Sequence, residues 1–300
     1  MLVRTFREKE FFCEEHFAGL RPVFHICSPE NFEIIFACEE EYAAGMNIVG
    51  ICCKLFPKIR VYTFQLMSNH FHIIAGGPES ELMKFVKMLK FRLQKYIQSR
   101  GRSLSIANAD VKMFPINDLE YLRSAIAYVN RNGFVVSNDY SPYSYPWGAN
   151  ICYFNQPLKK CYEKLRQNVT TTILRALLHS KIGDSIKDLY ILDNCISPFS
   201  FCDIRAGELV FRDEKNYFYY VSKNVESYGK IAKEIGEMLA YSDDDLYLIA
   251  VKYAREKCGV NAPSLLNSEA KMALASKLRF EYNAGEKQLQ RILKLKFGQE

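Results

Sequence analysis

The order of apolar patterns along the chain predicts an α+β protein, with an antiparallel sheet in residues 1–157 and a mostly α-helical region in residues 158–300. Three observations carry that prediction. Short apolar runs of strand length alternate with segments of 3.6-residue periodicity, in the order β-α-β-β-α-β followed by α. An aromatic, proline- and serine-rich stretch at 138–157, including Tyr140-Ser141-Pro142-Tyr143-Ser144-Tyr145-Pro146-Trp147-Gly148, reads as an ordered loop that closes the pattern. Beyond it the periodicity is helical.

The elements follow in order. Pro22-Val23-Phe24-His25-Ile26-Cys27 reads as a strand and residues 38–55 as a helix. Strands at 59–67 and 70–76 make a hairpin, and a helix follows at 80–99, where Leu82, Phe85, Val86, Leu89, Leu93, Tyr96 and Ile97 keep the helical period. A short strand near Val111 to Ile116 precedes a helix from Asp118 to Asn132, with Asp118 placed to cap it. This is the split βαβ, ferredoxin-like order, with helices on one face of the sheet and the other face left for a ligand or a further helix. In the second half, Ser242-Asp243-Asp244-Asp245 opens a helix that ends at Lys257-Cys258-Gly259, with acids at its start and glycine at its end. A helix from Ser268 to Glu281, a turn at Tyr282-Asn283-Ala284-Gly285 and a helix from Glu286 to Leu295 give a helix-turn-helix order over about 243–300.

Composition bounds the function. With 300 residues and 49% hydrophobic content the chain can bury a large core. Its 10 cysteines form no CxxC pair, so neither a zinc cage nor a disulfide framework is indicated, and a reducing cytoplasm is expected. No run is long and apolar enough for a membrane span, and the start lacks a signal segment, so a cytoplasmic protein without a membrane partner is expected. The net charge of +6 permits a polyanion partner. Its distribution is more telling: Lys84, Lys87, Lys90, Arg92, Lys95, Arg100 and Arg102 lie in a stretch without acids. Such a helix either follows a DNA backbone or is a solvated cationic face.

The chemistry centres on Asn69-His70-Phe71-His72-Ile73-Ile74, which holds two of the five histidines. In a strand, the i, i+2 spacing puts both imidazoles on one face with Cα atoms about 6.6 Å apart, within reach of one metal ion. The other reading is a pair of strand histidines satisfied by ordinary hydrogen bonds. In the helix ending at Asn132, Tyr128 and Asn132 are four residues apart and share a face, which sets a nucleophile beside a ligand. A phenol, with a pKa of about 10, attacks a phosphodiester only when a divalent cation polarises the phosphate. Tyr121, on nearly the same face, is the packing counterpart. His16, His25 and His179 have no partner at ligand spacing and read as structural.

These segments resemble the single-tyrosine HUH transposases, most closely the branch associated with repetitive extragenic palindromes. Three stretches carry the resemblance over the first half: Leu66-Met67-Ser68-Asn69-His70-Phe71-His72, Tyr121-Leu122 through Tyr128-Val129-Asn130-Arg131-Asn132, and Tyr145-Pro146-Trp147. The resemblance implies an HUH domain at 1–157 in which His70, His72 and Asn132 bind Mg or Mn and Tyr128 attacks the scissile phosphate. It implies single-stranded DNA with hairpins as substrate, a 5′-phosphotyrosine intermediate and resealing by reverse attack, in a monomer or homodimer. Lys84, Lys87, Lys90, Lys95, Arg100 and Arg102 become candidate DNA contacts. Two positions depart from the family pattern: Ser68 and Gly133 each stand where proline is usual. Glycine after Asn132 is expected to loosen the helix end. Residues Lys271 to Leu295 resemble more weakly the DNA-binding end of the bacterial replication initiator, or serve packing alone. A DNA-binding protein that keeps the fold and has lost the chemistry is the alternative, and a small-molecule metalloenzyme built on His70 and His72 is a third reading.

Overall fold

The structure, a computed structural model, describes residues 5–29, 33–136, 140–141, 143–164, 175, 189–192, 195–223, 231, 241 and 243–294. The chain forms two compact units, Met1–Ser222 and Lys223–Glu300.

The first unit is α+β. Its elements run α1 (Phe6–Leu20), β1 (Val23–Cys27), α2 (Glu39–Leu55), β2 (Arg60–Leu66), β3 (Phe71–Gly76), α3 (Glu79–Ser99), β4 (Lys112–Ile116), α4 (Leu119–Val136), α5 (Gln156–Lys164), β5 (Ile191–Leu192), β6 (Cys195–Ile196), α6 (Ile204–Glu208) and α7 (Glu214–Lys223). The strands β2-β3-β1-β4 form an antiparallel sheet in that order, so β1 and β3 are central. Both central strands are buried along their whole length, which is why they read as continuous apolar runs. Register pairs Phe64 with Ile73, Leu66 with Phe71 and Ile26 with Ile73 on one face, and Gln65 with His72 and His25 with Ile74 on the other.

The first face meets α2, where Gly45 lies under the Leu66 and Phe36 side chains, and α3 packs on α2. The second face is covered by α4: Thr63 Oγ1 donates to Asn130, and the Gly133 N–H donates to Gln65 Oε1 at 2.8 Å. The face that the sequence left for a ligand or a further helix is therefore taken by a helix. Asp118 caps α4 as predicted, accepting the Tyr121 N–H at 2.7 Å.

Two features depart from expectation. Helix α1 has no counterpart in the sequence reading, although Thr5 and Glu8 make a reciprocal capping box. Buried Arg123 of α4 holds it, donating to Glu10 at 2.6 and 3.2 Å and to the Val210 carbonyl at 2.7 Å. The first unit also runs on to Ser222 rather than closing at 157. Its later segments complete the outer edge of β2, whose unpaired backbone groups need partners. Leu66 N–H donates to the Trp147 carbonyl at 2.9 Å, Ala149 N–H to the Phe64 carbonyl at 3.0 Å and Asp203 N–H to the Val61 carbonyl at 2.8 Å.

The second unit contains α8 (Asp243–Cys258), α9 (Ser268–Tyr282) and α10 (Glu286–Leu293), packed around Leu246, Ala250, Leu274, Leu278, Leu289 and Leu293. Gly259 and Asn283 take the positive φ values that end α8 and α9. Leu295, the expected end of the last helix, lies outside the described residues, and α10 closes at Leu293 with Lys294 in the left-handed conformation.

Candidate active site

The strand register assembles a cluster that the linear spacing did not contain. His72 lies opposite Cys27, so His25 two residues earlier on β1 is its diagonal neighbour on the same face. The His25 Nε2 and His72 Nδ1 atoms are 3.2 Å apart and the ring centroids 5.3 Å apart, with both residues fully buried. His25, expected to have no partner, therefore has one in His72. His16 has its Nε2 2.9 Å from the Ala206 carbonyl oxygen, and His179 lies outside the described residues. His70, at the turn into β3, sits with its ring centroid 5.0 Å from that of His72 and nearly perpendicular to it. Its Nδ1 is 2.8 Å from Asn69 Oδ1, and since that oxygen only accepts, Nδ1 carries the proton and Nε2 the lone pair of the neutral ring.

Helix α4 brings Tyr128 over these rings, 5.5 Å from His72 and 6.2 Å from His25 between centroids, both edge-on. Tyr128 is only 4% exposed. Asn130, two residues further along α4, ties the helix to the sheet: it accepts from Thr63 and donates to Tyr217 Oη at 2.9 Å. Asn132, one turn beyond Tyr128, is half-buried. Tyr121 is half-buried near the start of the helix, as a packing residue would be.

Gly133 does not loosen the helix end. Helix α4 continues through it to Val136. A Cβ at this position would fall 2.2 Å from the Tyr145 ring, and that ring is anchored by its hydroxyl, which donates to the Leu66 carbonyl at 2.7 Å. Proline here would also lose the N–H that Gln65 accepts. The tight approach of the loop residue Tyr145, not backbone freedom, is what the glycine serves. Trp147 of the same loop stacks on Tyr42 at 5.1 Å.

Burial sets the electrostatics. It pushes the His72 imidazole down to about 3 and holds His25 well below its ordinary value, with the neighbouring His72 adding to the effect. Both rings are therefore neutral near pH 7, the state that a metal ligand requires. Among the described residues, however, no three His, Cys, Asp or Glu side chains are grouped to hold a metal ion. His70 and His72, with ring centroids 5.0 Å apart, are the two imidazoles from which a cation could take nitrogen ligands, and Asn132, half-buried one turn beyond Tyr128, is the carboxamide that the sequence adds to them.

The basic residues divide into two groups. Lys87, Lys95 and Arg100 are exposed, and Lys84 is exposed while pairing with Glu81 at 2.8 Å. Lys90 instead donates to the Ala109 carbonyl at 2.6 Å, and Arg102 donates to Glu41 at 2.7 Å and to the Ile35 carbonyl at 3.1 Å. Those two cations tie loops to the domain, a use that a linear charge count does not reveal. Because α3 packs on α2, the exposed lysines lie on the side of the sheet away from the histidines.

The chain matches none of the family models, curated proteins or solved structures with which it was compared. Among the described residues no helix is long and apolar enough to cross a membrane.

Proposed function

We propose that the first unit is a metal-dependent enzyme that nicks and rejoins single-stranded DNA through Tyr128, a transposase of the single-tyrosine HUH kind. The observation that carries this reading is the packing of Tyr128 against His72, with His70 beside it, which brings the phenol and the two imidazoles of the sequence motif into one cluster. The sheet order β2-β3-β1-β4, with α2 joining β1 to β2 and α3 joining β3 to β4, supports a split βαβ, ferredoxin-like domain.

In this reading His70, His72 and Asn132 hold a Mg or Mn ion, which polarises the scissile phosphate when bound. Tyr128 Oη attacks phosphorus and loses its proton to solvent, which supplies the one taken up by the leaving oxygen, so that no net proton is gained or lost. The Oη–P bond forms, the P–O3′ bond breaks, and the leaving 3′-oxygen takes a proton. The same atoms run in reverse to reseal the strand. Lys84, Lys87, Lys95 and Arg100 are left as backbone contacts for DNA that reaches around the sheet. The second unit, with its helix-turn-helix order, serves as a further DNA contact, although Arg291 is paired with Asp243 at 2.6 Å.

One observation favours the alternative of a DNA-binding protein without the chemistry: Tyr128 is 4% exposed beneath its own helix, so a phosphate reaches it only if α4 shifts. Labelled single-stranded hairpins incubated with the protein and Mn(II) or EDTA separate the two on denaturing gels. A covalent adduct that needs Mn(II) and disappears in Tyr128→Phe is the expected result. Salt-sensitive binding with no adduct refutes the enzyme and leaves the binding protein.

A further inference from the structure

We infer that His25 is a positioning residue for His72: it accepts the His72 Nδ1 proton and so holds that imidazole in the tautomer that offers its Nε2 lone pair to a divalent cation. The inference rests on the metal reading above and goes beyond it by assigning a residue on a different strand.

The two rings are fully buried and their facing nitrogens are 3.2 Å apart, a distance at which one proton is shared between a donor and an acceptor. Two arrangements are open to a pair of neutral imidazoles. In one, His72 donates from Nδ1 to His25 Nε2, His25 carries its own proton on Nδ1, and His72 has its lone pair on Nε2. In the other, His25 donates from Nε2, and His72 carries its proton on Nε2, where it blocks a cation. The first arrangement makes His72 the match of His70, whose Nδ1 donates to Asn69 Oδ1 and whose lone pair is therefore on Nε2. Each histidine of the motif then has its own acceptor at Nδ1, the pattern by which a ligating imidazole is oriented from behind.

His25 suits that task because little else claims it. Its Nδ1 has no hydrogen-bond partner among the described residues, so the polar contact that fixes its ring is the one to His72. A neutral acceptor also adds no charge to a cluster that is already sealed from water. The position is determined by register: directly opposite His72 stands Cys27, and only the diagonal position on β1, filled by a ring, spans the distance.

The test is Mn(II) binding to the full chain by titration calorimetry, without DNA, for wild type, His25→Gln, His25→Phe and His72→Ala. Glutamine keeps an acceptor oxygen at this position and phenylalanine keeps only the volume. His25→Phe is expected to bind Mn(II) about 10- to 100-fold more weakly, the range for loss of an orienting partner, while His25→Gln is expected to retain most of the wild-type affinity. Wild-type affinity in folded His25→Phe overturns the role of His25 and leaves the metal reading intact. Failure of wild type to bind Mn(II), or binding that survives His72→Ala, overturns the metal reading and this assignment with it. If His25→Phe does not fold, proton–nitrogen correlation NMR of the metal-free wild type decides the matter. Protonated Nδ1 and bare Nε2 on His72 support the inference, and a proton on His72 Nε2 overturns it.

Discussion

Replacing Gly133 by alanine puts two opposing terms in competition, and the structure decides their sign. On helix propensity alone, Gly→Ala in a helix interior stabilises by about 1 kcal/mol. At this position, however, the new Cβ lands 2.2 Å from Tyr145 Cγ and 2.5 Å from both Cδ atoms, where ordinary contact begins near 3.4 Å. The ring cannot retreat cheaply: Tyr145 is 4% exposed and its hydroxyl is held by the Leu66 carbonyl. Nor can the helix, since Gly133 N–H is bound to Gln65. Overpacking of a rigid site costs about 1–3 kcal/mol, and the upper end applies here, so Gly133→Ala is expected to destabilise by about 2 kcal/mol net. In a Tyr145→Ala background the clash is gone and the same substitution should stabilise by about 1 kcal/mol, a coupling of about 3 kcal/mol between the two sites. Urea unfolding followed by the fluorescence of Trp147, the single tryptophan, reads this region directly because that ring stacks on Tyr42 beside the loop. A higher unfolding midpoint for Gly133→Ala in the wild-type background would refute the packing argument.

Other consequences follow from the same contacts. The unfolded His72 titrates near 6.5 while the folded ring resists protonation until about 3. Below pH 6.5 the unfolded chain thus gains a proton that the folded chain refuses, and metal-free stability should drop by about 2 kcal/mol from pH 7 to pH 5 for this ring alone. His25 acts in the same direction, and urea midpoints that are flat across that interval would contradict the burial of both rings. Asn130→Leu should cost about 1–3 kcal/mol in the same assay, because it removes the acceptor of the buried Thr63 hydroxyl and a hydrogen bond to Tyr217. For DNA binding, Lys87→Gln with Lys95→Gln should lower the slope of log affinity against log salt by about 2, at unchanged stability. Arg102→Gln should leave that slope alone and lower the urea midpoint, since its guanidinium is bound to Glu41 and Ile35. A slope that does not respond to the two lysines would remove α3 from the DNA path.

Much of the first unit was legible from local pattern. The strands and helices from Val23 to Asp118 fall within a residue or so of their predicted bounds, because alternation, helical period and capping residues are properties of neighbouring positions. The spacings of His70 with His72 and of Tyr128 with Asn132 were legible on their separate elements, whereas the contact between Tyr128 and His72 was not. Helix α1 carried a readable capping box, but its mixed polar and aromatic face concealed it until Arg123 showed what it docks against.

What the amino-acid order determined by itself, then, is which residues lie on one face of one element: His70 with His72, Tyr128 with Asn132, and the lysines of α3. What only the tertiary structure decided is which of those faces meet. Antiparallel register placed His25 beside His72 from 47 positions away, the close approach of Tyr145 explained Gly133, and internal carbonyls and carboxylates claimed Lys90 and Arg102. The physical reason is that periodicity is carried by bonds along the chain, whereas register, burial and hydrogen-bond partnership arise only when distant segments compete for the same space.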